Sequence, residues 1–282
     1  MALPVLADYC NRVVRVRSVS PDTRGCGLRL QPYILPGVFA LSWIFGIAPR
    51  SMAAPESQFF DAKGVKIHYL VQGTGEPVVL IHGMDSSARL NWELPGVMDA
   101  LAGDHQVIAL DLPGYGESDK PTDPADYGQA WVEDVILLLD YLKIEKAHIV
   151  GYSMGGAVAL KLIAEHPDRV ISGTLGGMGW LREGSILQRV WAHLRSLGPR
   201  SVADLALSEQ ELRSIHVPVE ILVGDRDPMR TLYVVPLQSV RSDWPVVEIQ
   251  GAGHITCITK SQFKEELEQL LNTREAAKTS KR

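Results

Sequence analysis

The amino-acid sequence predicts an α/β protein with a mostly parallel, doubly wound sheet, and three observations support this prediction. Short apolar runs alternate with segments whose apolar residues recur at helical spacing, which is the pattern of repeated β-α units. The run at residues 77–81 is apolar at every position, as expected for a strand buried on both faces. At 282 residues, 46% of them hydrophobic, the chain is also long enough to bury one large core.

The predicted elements follow one another regularly from Phe59. Residues 59–62 and 65–71 predict an antiparallel hairpin that turns through Lys63-Gly64, because their apolar residues alternate. Later strands are predicted at 77–81, 106–110, 147–150, 170–175, 217–223 and 246–249. Helices are predicted at 97–102, along Trp131, Val135, Leu138, Leu139 and Leu142, from Met154 to His166, and along Phe263, Leu267, Leu270 and Leu271. The core thus covers 56–176 and 217–272, and we expect the polar tail at 273–282 to fray.

Residues 1–55 differ from the rest of the chain. They contain six arginines and two aspartates, whereas the whole chain has a net charge of −5. An apolar run at 33–48 follows Arg24 and Arg29, and small residues precede Ala54, which predicts a cleaved signal peptide and an exported protein. The alternatives are an uncleaved membrane anchor, a start site further downstream, and a disordered extension before a cytoplasmic enzyme.

Composition limits the classes of partner. Outside the leader the only cysteine is Cys257, so neither a disulfide nor a cysteine metal site is predicted. The acidic remainder of the chain argues against a nucleic-acid partner. Membrane contact is expected only through the N-terminal apolar segment, and the oligomeric state is open.

The segment Gly151-Tyr152-Ser153-Met154-Gly155 lies between an apolar strand and a predicted helix. A serine between two glycines at such a junction is the pattern of a nucleophile elbow, a tight turn that raises the serine hydroxyl above the sheet edge. The five-residue pattern alone is weakly specific, so its context matters. An aspartate follows a later strand and a histidine follows the last one.

Taken with that context, residues 57–271 resemble the α/β-hydrolase family. The motifs that carry the resemblance occur in family order and are His82-Gly83, the loop at 111–118, Gly151-Tyr152-Ser153-Met154-Gly155-Gly156, Gly224-Asp225-Arg226-Asp227 and Gly251-Ala252-Gly253-His254. The resemblance implies a serine hydrolase whose nucleophile, acid and histidine occur in that chain order. No metal or organic cofactor is implied.

The catalytic candidates are Ser153, His254 and Asp227. Ser153 needs a base to accept its proton, and His254 follows a strand in a glycine-rich turn. The family pattern assigns the acid to the fourth position of Gly-x-x-Asp, which is Asp227, and we expect Asp225 to brace the turn instead. The oxyanion hole is assigned to the backbone N–H groups of Met84 and Met154. His82 and Asp111 are expected to orient loops.

Substrate selection is assigned to an insert at residues 177–216. One predicted helical face carries Ile186, Leu187, Val190, Trp191 and Leu194, and Trp180 precedes it. Because exposing such a stripe forfeits about 1.5–3 kcal/mol per large side chain, we expect a small helical lid over the serine. Packing of this helix on the sheet is the alternative. Trp180, Leu187 and Trp191 are the candidate substrate-lining residues.

The leading functional prediction is hydrolysis of small-molecule carboxylic esters with apolar acyl or alkyl groups. The insert contributes few charges, which favours an apolar group over a phosphate or a sugar. A serine nucleophile argues against relatives that attack with aspartate, such as haloalkane dehalogenases and epoxide hydrolases. Cofactor-free haloperoxidases or perhydrolases, carbon–carbon bond hydrolases, and a non-catalytic ligand receptor that retains the triad stay open as alternatives.

Overall fold

The computed structural model describes residues 53–194 and 202–279. The fold described below is that of the unit Ser51–Arg282. The predicted leader and its apolar run lie outside the described residues, so signal peptide and export stay predictions. Among the helices that are described, none is long and apolar enough to cross a membrane.

The centre of the fold is an eight-stranded sheet with the spatial order β1-β2-β4-β3-β5-β6-β7-β8. The strands are β1 Glu56–Ala62, β2 Val65–Gln72, β3 Glu76–Ile81, β4 His105–Leu110, β5 Ala147–Tyr152, β6 Val170–Gly176, β7 Val219–Gly224 and β8 Val246–Ile249. β2 runs antiparallel to β1 and to β4, and the remaining neighbours are parallel. The predicted fold class is therefore confirmed.

Seven α-helices connect and cover these strands in the described residues. They are α1 Val97–Leu101, α2 Gln129–Tyr141, α3 Met154–Glu165, α4 Ile186–Leu194, α5 Glu209–Ser214, α6 Val235–Val240 and α7 Ser261–Thr279. The helix α7 continues into the predicted polar tail as far as Thr279, whereas fraying of that tail stays a prediction. Its last turns contain Arg-Glu-Ala-Ala-Lys, a run of strong helix formers that extends the helix beyond its apolar stripe.

Helices pack on both faces of the sheet, as a doubly wound fold requires. On β3, Val79 faces one apolar cluster, and Val78 faces the other. The first cluster includes Trp131 of α2, whereas the second includes Met98 of α1 and Phe263 of α7. The continuous apolar run of β3 is explained by this two-sided burial.

The strand order reverses direction at β3. This strand lies between β4 and β5, so the chain leaves it toward one edge of the sheet and later returns toward the other. In open α/β sheets such a switch point creates a crevice at the carboxyl ends of the strands. Here the loop after β3 and the turn after β5 leave the sheet side by side, with Ile81 paired to Gly151.

One buried acidic residue stands out on the helix α2. Asp134 is only 9% exposed, and its neighbours Trp131, Val135 and Leu138 are fully buried. Burial, followed by the negative charge of Asp126, raises the pKa of Asp134 from its ordinary value of 3.8 to about 7. The folded chain therefore holds this proton more tightly than the unfolded chain does.

Replacing Asp134 with asparagine should make the protein more stable at alkaline pH. Because the folded-state pKa lies above the unfolded one, the wild type loses stability as pH rises from about 4 through about 7. About three pKa units at about 1.36 kcal/mol each set an upper limit of roughly 4 kcal/mol for the gain. Urea unfolding of both proteins at acidic and alkaline pH checks this, and a difference independent of pH would contradict it.

Candidate active site

Ser153 occupies the turn between β5 and α3 in a strained backbone conformation. Its φ of 53° and ψ of −117° are rare for a residue with a side chain. Its N–H donates to the carbonyl oxygen of Gly176 at 2.7 Å, which ties the turn to β6. A Cβ on Gly151 would lie 2.0 Å from the carbonyl oxygen of Gly155, so only glycine permits this close approach of strand and helix.

Three side chains form a continuous hydrogen-bonded line at the carboxyl edge of the sheet. His254 Nε2 lies 2.8 Å from Ser153 Oγ, and His254 Nδ1 lies 2.8 Å from Asp227 Oδ2. The carboxylate of Asp227 is fully buried, whereas the imidazole is 19% exposed. Because a carboxylate only accepts, the imidazole proton lies on Nδ1, and the lone pair of Nε2 faces the serine hydroxyl.

The two aspartates after β7 have different surroundings. Asp227 Oδ1 accepts from the N–H of Met229 at 2.9 Å, which leaves Oδ2 for the imidazole. Asp225 instead accepts from the N–H of Ala252 at 2.9 Å. Backbone hydrogen bonds from Ala252 and Gly251 lower the pKa of Asp225. The structure thus brings Asp227 to His254 and places Asp225 on the backbone of the following turn.

Tyr152 holds the histidine loop and was missed by sequence reasoning. Its hydroxyl donates to the carbonyl oxygen of His254, and its ring lies tilted against the imidazole with centroids 5.7 Å apart. Edge contacts with Trp92 and Phe263 hold the ring from other sides. The sequence signal that could have identified Tyr152 is its position as the last residue of β5, directly before Ser153. Because side chains alternate along a strand, its ring lies on the face of the sheet opposite to α3.

A second residue missed in the sequence is Gly177. It directly follows β6 and has a φ of 57°. A Cβ at this position would lie 3.2 Å from both Nδ1 and Cε1 of His254 and 3.3 Å from Asp227 Oδ2. Because Gly177 has no side chain, the Asp227–His254 pair has room at this position. A contact between residues so far apart in the chain has no local sequence signature.

The two backbone N–H groups assigned to the oxyanion hole lie at the start of α3 and after β3. Met154 is the first residue of α3, and Met84 follows the loop in which Gly83 approaches Ser153. A Cβ on Gly83 would be 3.2 Å from Ser153 Cβ. Asn91 fixes this loop by accepting from the N–H of Gly83 at 2.7 Å. Within the described ranges neither methionine N–H has a protein acceptor.

His82 orients the same loop from the inside of the protein. It is completely buried, and the N–H of Leu112 donates to its Nε2 at 3.1 Å. The Nδ1 proton is therefore donated to the carbonyl oxygen of Gly83 at 2.7 Å. Burial lowers the pKa of His82, so the ring stays neutral.

Asp111 joins the loop after β4 to the loop after β3. Its carboxylate accepts from the N–H groups of Ala88 at 2.6 Å and Glu117 at 2.8 Å, and lies 2.8 Å from His68 Nδ1. Burial alone would raise the pKa of Asp111, but the hydrogen bond with His68 and those from the backbone outweigh it and lower the pKa. Asp111 is thus an ionised brace between loops.

In its described residues, 177–194 and 202–216, the insert contains α4, α5 and one isolated bridge between Arg182 and Leu207. Trp180 is buried, and its indole N–H donates to the carbonyl oxygen of Leu207 at 2.8 Å. Leu187 and Trp191 of α4 are half-buried, and the indole N–H of Trp191 donates to the Tyr233 hydroxyl at 3.0 Å. Their role as substrate lining stays a prediction.

The apolar stripe of α4 is packed in its middle and exposed at its two ends. Ile186 is 77% exposed and Leu194 is 39% exposed, whereas Leu187 and Trp191 pack against the main core. The helix is only nine residues long, so its middle turn makes the apolar contacts and its terminal residues extend past them.

One group of side chains in the described chain has the spacing of metal ligands, and it lies at the C-terminal end of α3, the helix that begins directly after Ser153. Glu133, Glu165 and His166 each offer a ligand atom within 4.8 Å of the others. His166 Nε2 lies 3.3 Å from Glu133 Oε1, and Gln129 donates to Glu165. These contacts explain the cluster as a surface hydrogen-bond network.

Comparison with known proteins gives relatives of several kinds. The chain is 33% identical over 189 residues to the 2-hydroxymuconate semialdehyde hydrolase of Pseudomonas sp. (strain CF600), a match that covers 63% of this chain and 65% of that protein. It is 39% identical over 194 residues to the dihydrolipoyllysine-residue acetyltransferase component of the acetoin cleaving system of Pseudomonas putida, covering 63% and 51%. The chain thus spans less than two thirds of the length of these curated relatives.

A solved structure shares the fold over a larger part of the chain. A variant of the meta-cleavage product hydrolase from Pseudomonas fluorescens IP01 superposes with a TM-score of 0.59 at 25% identity, covering 77% of this chain and 97% of that chain. Residues 76–242, more than half of the sequence, match the family model described as the alpha/beta hydrolase fold. Together with the eight-stranded sheet, this match establishes that the chain belongs to the α/β-hydrolase family.

Proposed function

We propose that this protein is a serine hydrolase that cleaves carboxylic esters with apolar acyl or alkyl groups. The observation that carries the proposal is the unbroken line from Ser153 Oγ through His254 to Asp227, with both contacts at 2.8 Å. Nucleophile, base and orienting acid at these separations form the arrangement that acyl transfer through a serine requires.

Each residue has a role in the proposed reaction. Ser153 Oγ attacks the ester carbonyl carbon while His254 Nε2 accepts the hydroxyl proton. The backbone N–H groups of Met84 and Met154 hold the resulting oxyanion, each contributing about 3–4 kcal/mol in the transition state. The imidazolium, stabilised by Asp227, then protonates the departing alcohol. Water activated by His254 hydrolyses the acyl-enzyme and regenerates the serine.

The preference for an apolar group rests on the insert. Leu187 and Trp191 present half-buried apolar surface on α4, and Met84 beside the serine is also partly exposed. Apolar walls with few convergent polar groups are typical of sites for small apolar ligands. The substrate-lining role of Trp180 is weaker support, because its indole is buried and bonded to Leu207.

Hydrolysis of a carbon–carbon bond is the second candidate, and the comparisons favour it. One curated relative is named a 2-hydroxymuconate semialdehyde hydrolase, and one structural relative a meta-cleavage product hydrolase. Such a reaction would use the same nucleophile, base and oxyanion donors on a ketone carbonyl. The substrate, rather than the triad, therefore separates the two candidates.

A panel of substrates distinguishes these functions. The rates of hydrolysis of p-nitrophenyl esters from C2 to C16 should exceed the rate of a Ser153→Ala blank and should have a maximum within the series. 2-Hydroxymuconate semialdehyde, followed by loss of its absorbance, should be turned over far more slowly. Turnover of the semialdehyde with little ester hydrolysis would replace the ester proposal with carbon–carbon cleavage. A folded protein that turns over none of these substrates and does not react with fluorophosphonates would favour the non-catalytic ligand receptor.

Substitution of the aspartates after β7 should separate their roles. Ser153→Ala and His254→Ala should each lose on the order of 10⁴-fold or more in kcat. Asp227→Asn should lose activity nearly as severely, because the amide would offer its N–H to Nδ1 and favour the wrong imidazole tautomer. Asp225→Asn is the matched control and should retain most activity. Equal losses in the two asparagine variants would contradict the assignment of the acid.

Gly177→Ala should slow acylation of Ser153. The added methyl would crowd His254 and Asp227 at 3.2–3.3 Å, which displaces the base from the serine. Gly184→Ala is the control, because Gly184 has a similar φ of 71° but no atom within 4 Å of the added Cβ. Fluorophosphonate labelling rates should therefore fall in the first variant only, while both lose similar stability from backbone strain. Equal labelling of the two variants would contradict the role given to Gly177.

A further inference from the structure

A cavity unrelated to the triad lies between the β1–β2 turn, the loop after β4 and the helix α2. Its volume is about 240 Å³, and its apolar walls are contributed by Ala62, Val65, Pro113, Ala130 and Leu137. The charged lining residues are Lys63, Asp126, Glu133 and Asp134. Three carboxylates and one ammonium give this cavity a net negative charge when all are ionised.

Asp134 lines this cavity without a bonding partner. The residue is 9% exposed, and no described residue makes a hydrogen bond or ion pair with its carboxylate, whose oxygens keep access to solvent from the cavity. An ionised carboxylate in such a position carries a penalty of several kcal/mol unless a cation or a donor reaches it. Asp126 and Glu133 on the cavity wall add negative charge, and Lys63 opposes it from the hairpin turn.

The distribution of these groups favours an organic cation over a metal ion. A divalent metal requires several ligand oxygens that converge on one point. In the described part of the chain, the only convergent group of three such ligands is Glu133, Glu165 and His166, so the three cavity carboxylates do not converge in this way. The apolar walls would instead contact a short hydrocarbon chain.

We propose that this cavity binds a primary alkylammonium group, with the ammonium against the Asp134 carboxylate and the alkyl chain against Val65, Pro113 and Leu137. A free alkylamine and a lysyl side chain share this chemistry. The volume accommodates a chain of several carbons, and the three donors of the ammonium are enough for the two oxygens of Asp134.

Two groups compete with such a ligand. A proton competes for Asp134, whose pKa is raised by burial and by Asp126 to about 7, so affinity should increase as pH rises from about 6 to about 8.5. Alkylammonium ions stay charged in this range, because amines of this kind resemble lysine with a pKa of about 10.4. The Lys63 ammonium competes as a like charge, so Lys63→Gln should bind the ligand more tightly.

The test uses the full chain with n-butylammonium as the probe and saturation-transfer NMR as the measurement. Wild type should bind the probe saturably at alkaline pH, and Asp134→Asn should weaken binding by at least about 10-fold. Asp140→Asn is the control, because Asp140 lies on the same helix and carries the same charge but does not line the cavity. Its affinity should change by less than about twofold.

Two further probes identify what is recognised. Neutral n-butanol should bind much more weakly than n-butylammonium, since it has no charge to pair with Asp134. Nα-acetyl-lysinamide tests whether the ligand is the side chain of a lysine residue, in which case it should compete with butylammonium. Failure to compete restricts the site to free amines. The proposal is overturned if butylammonium does not saturate wild type, if Asp134→Asn binds as well as wild type, or if butanol binds equally.

Discussion

The close approach of β5 and α3 at Ser153 is the constraint on which the rest of the site depends. Gly151 and Gly155 have no side chains, so the helix begins directly where the strand ends, and the serine between them takes a positive φ. That conformation points Oγ away from the sheet and leaves the N–H of Met154 at the start of the helix. In the proposed reaction, this one strained turn would therefore supply the nucleophile Ser153 and the oxyanion donor on the next residue, Met154.

The strain persists because several contacts on different strands fix the turn. The N–H of Ser153 is bonded to β6, and Gly83 from the loop after β3 lies against its side chain. Tyr152 connects β5 to the loop that follows β8 through the carbonyl oxygen of His254. A local distortion that costs about 1–3 kcal/mol persists only when the surrounding fold determines it in this way.

Local sequence patterns were sufficient to predict the strands of the sheet and the residues that lie in family motifs. The reason is that strand burial and the elbow each depend on a few neighbouring positions. The strands and the three side chains Ser153, Asp227 and His254 belong to this class. Gly177 and Tyr152 do not, because their importance comes from contacts with His254 that are 77 and 102 positions apart in the chain. The helix α7 extends past its apolar stripe for a different reason, because the residues after the stripe are polar but have high helix propensity.

The two buried carboxylates Asp227 and Asp134 show how partners, rather than burial, decide what an acid can do. Asp227 accepts from the N–H of Met229 and from the imidazole of His254, so both of its oxygens have partners and it fixes the orientation of that imidazole. Asp134 is also mostly buried, but its charged neighbours are Asp126, Glu133 and Lys63, and burial followed by the charge of Asp126 raises its pKa to about 7. The folded protein tolerates the free-energy cost of burying this carboxyl group because the other buried side chains of the helix α2 are apolar. The same fold thus presents one carboxylate whose bonding capacity is used within the protein and one whose capacity remains for a ligand.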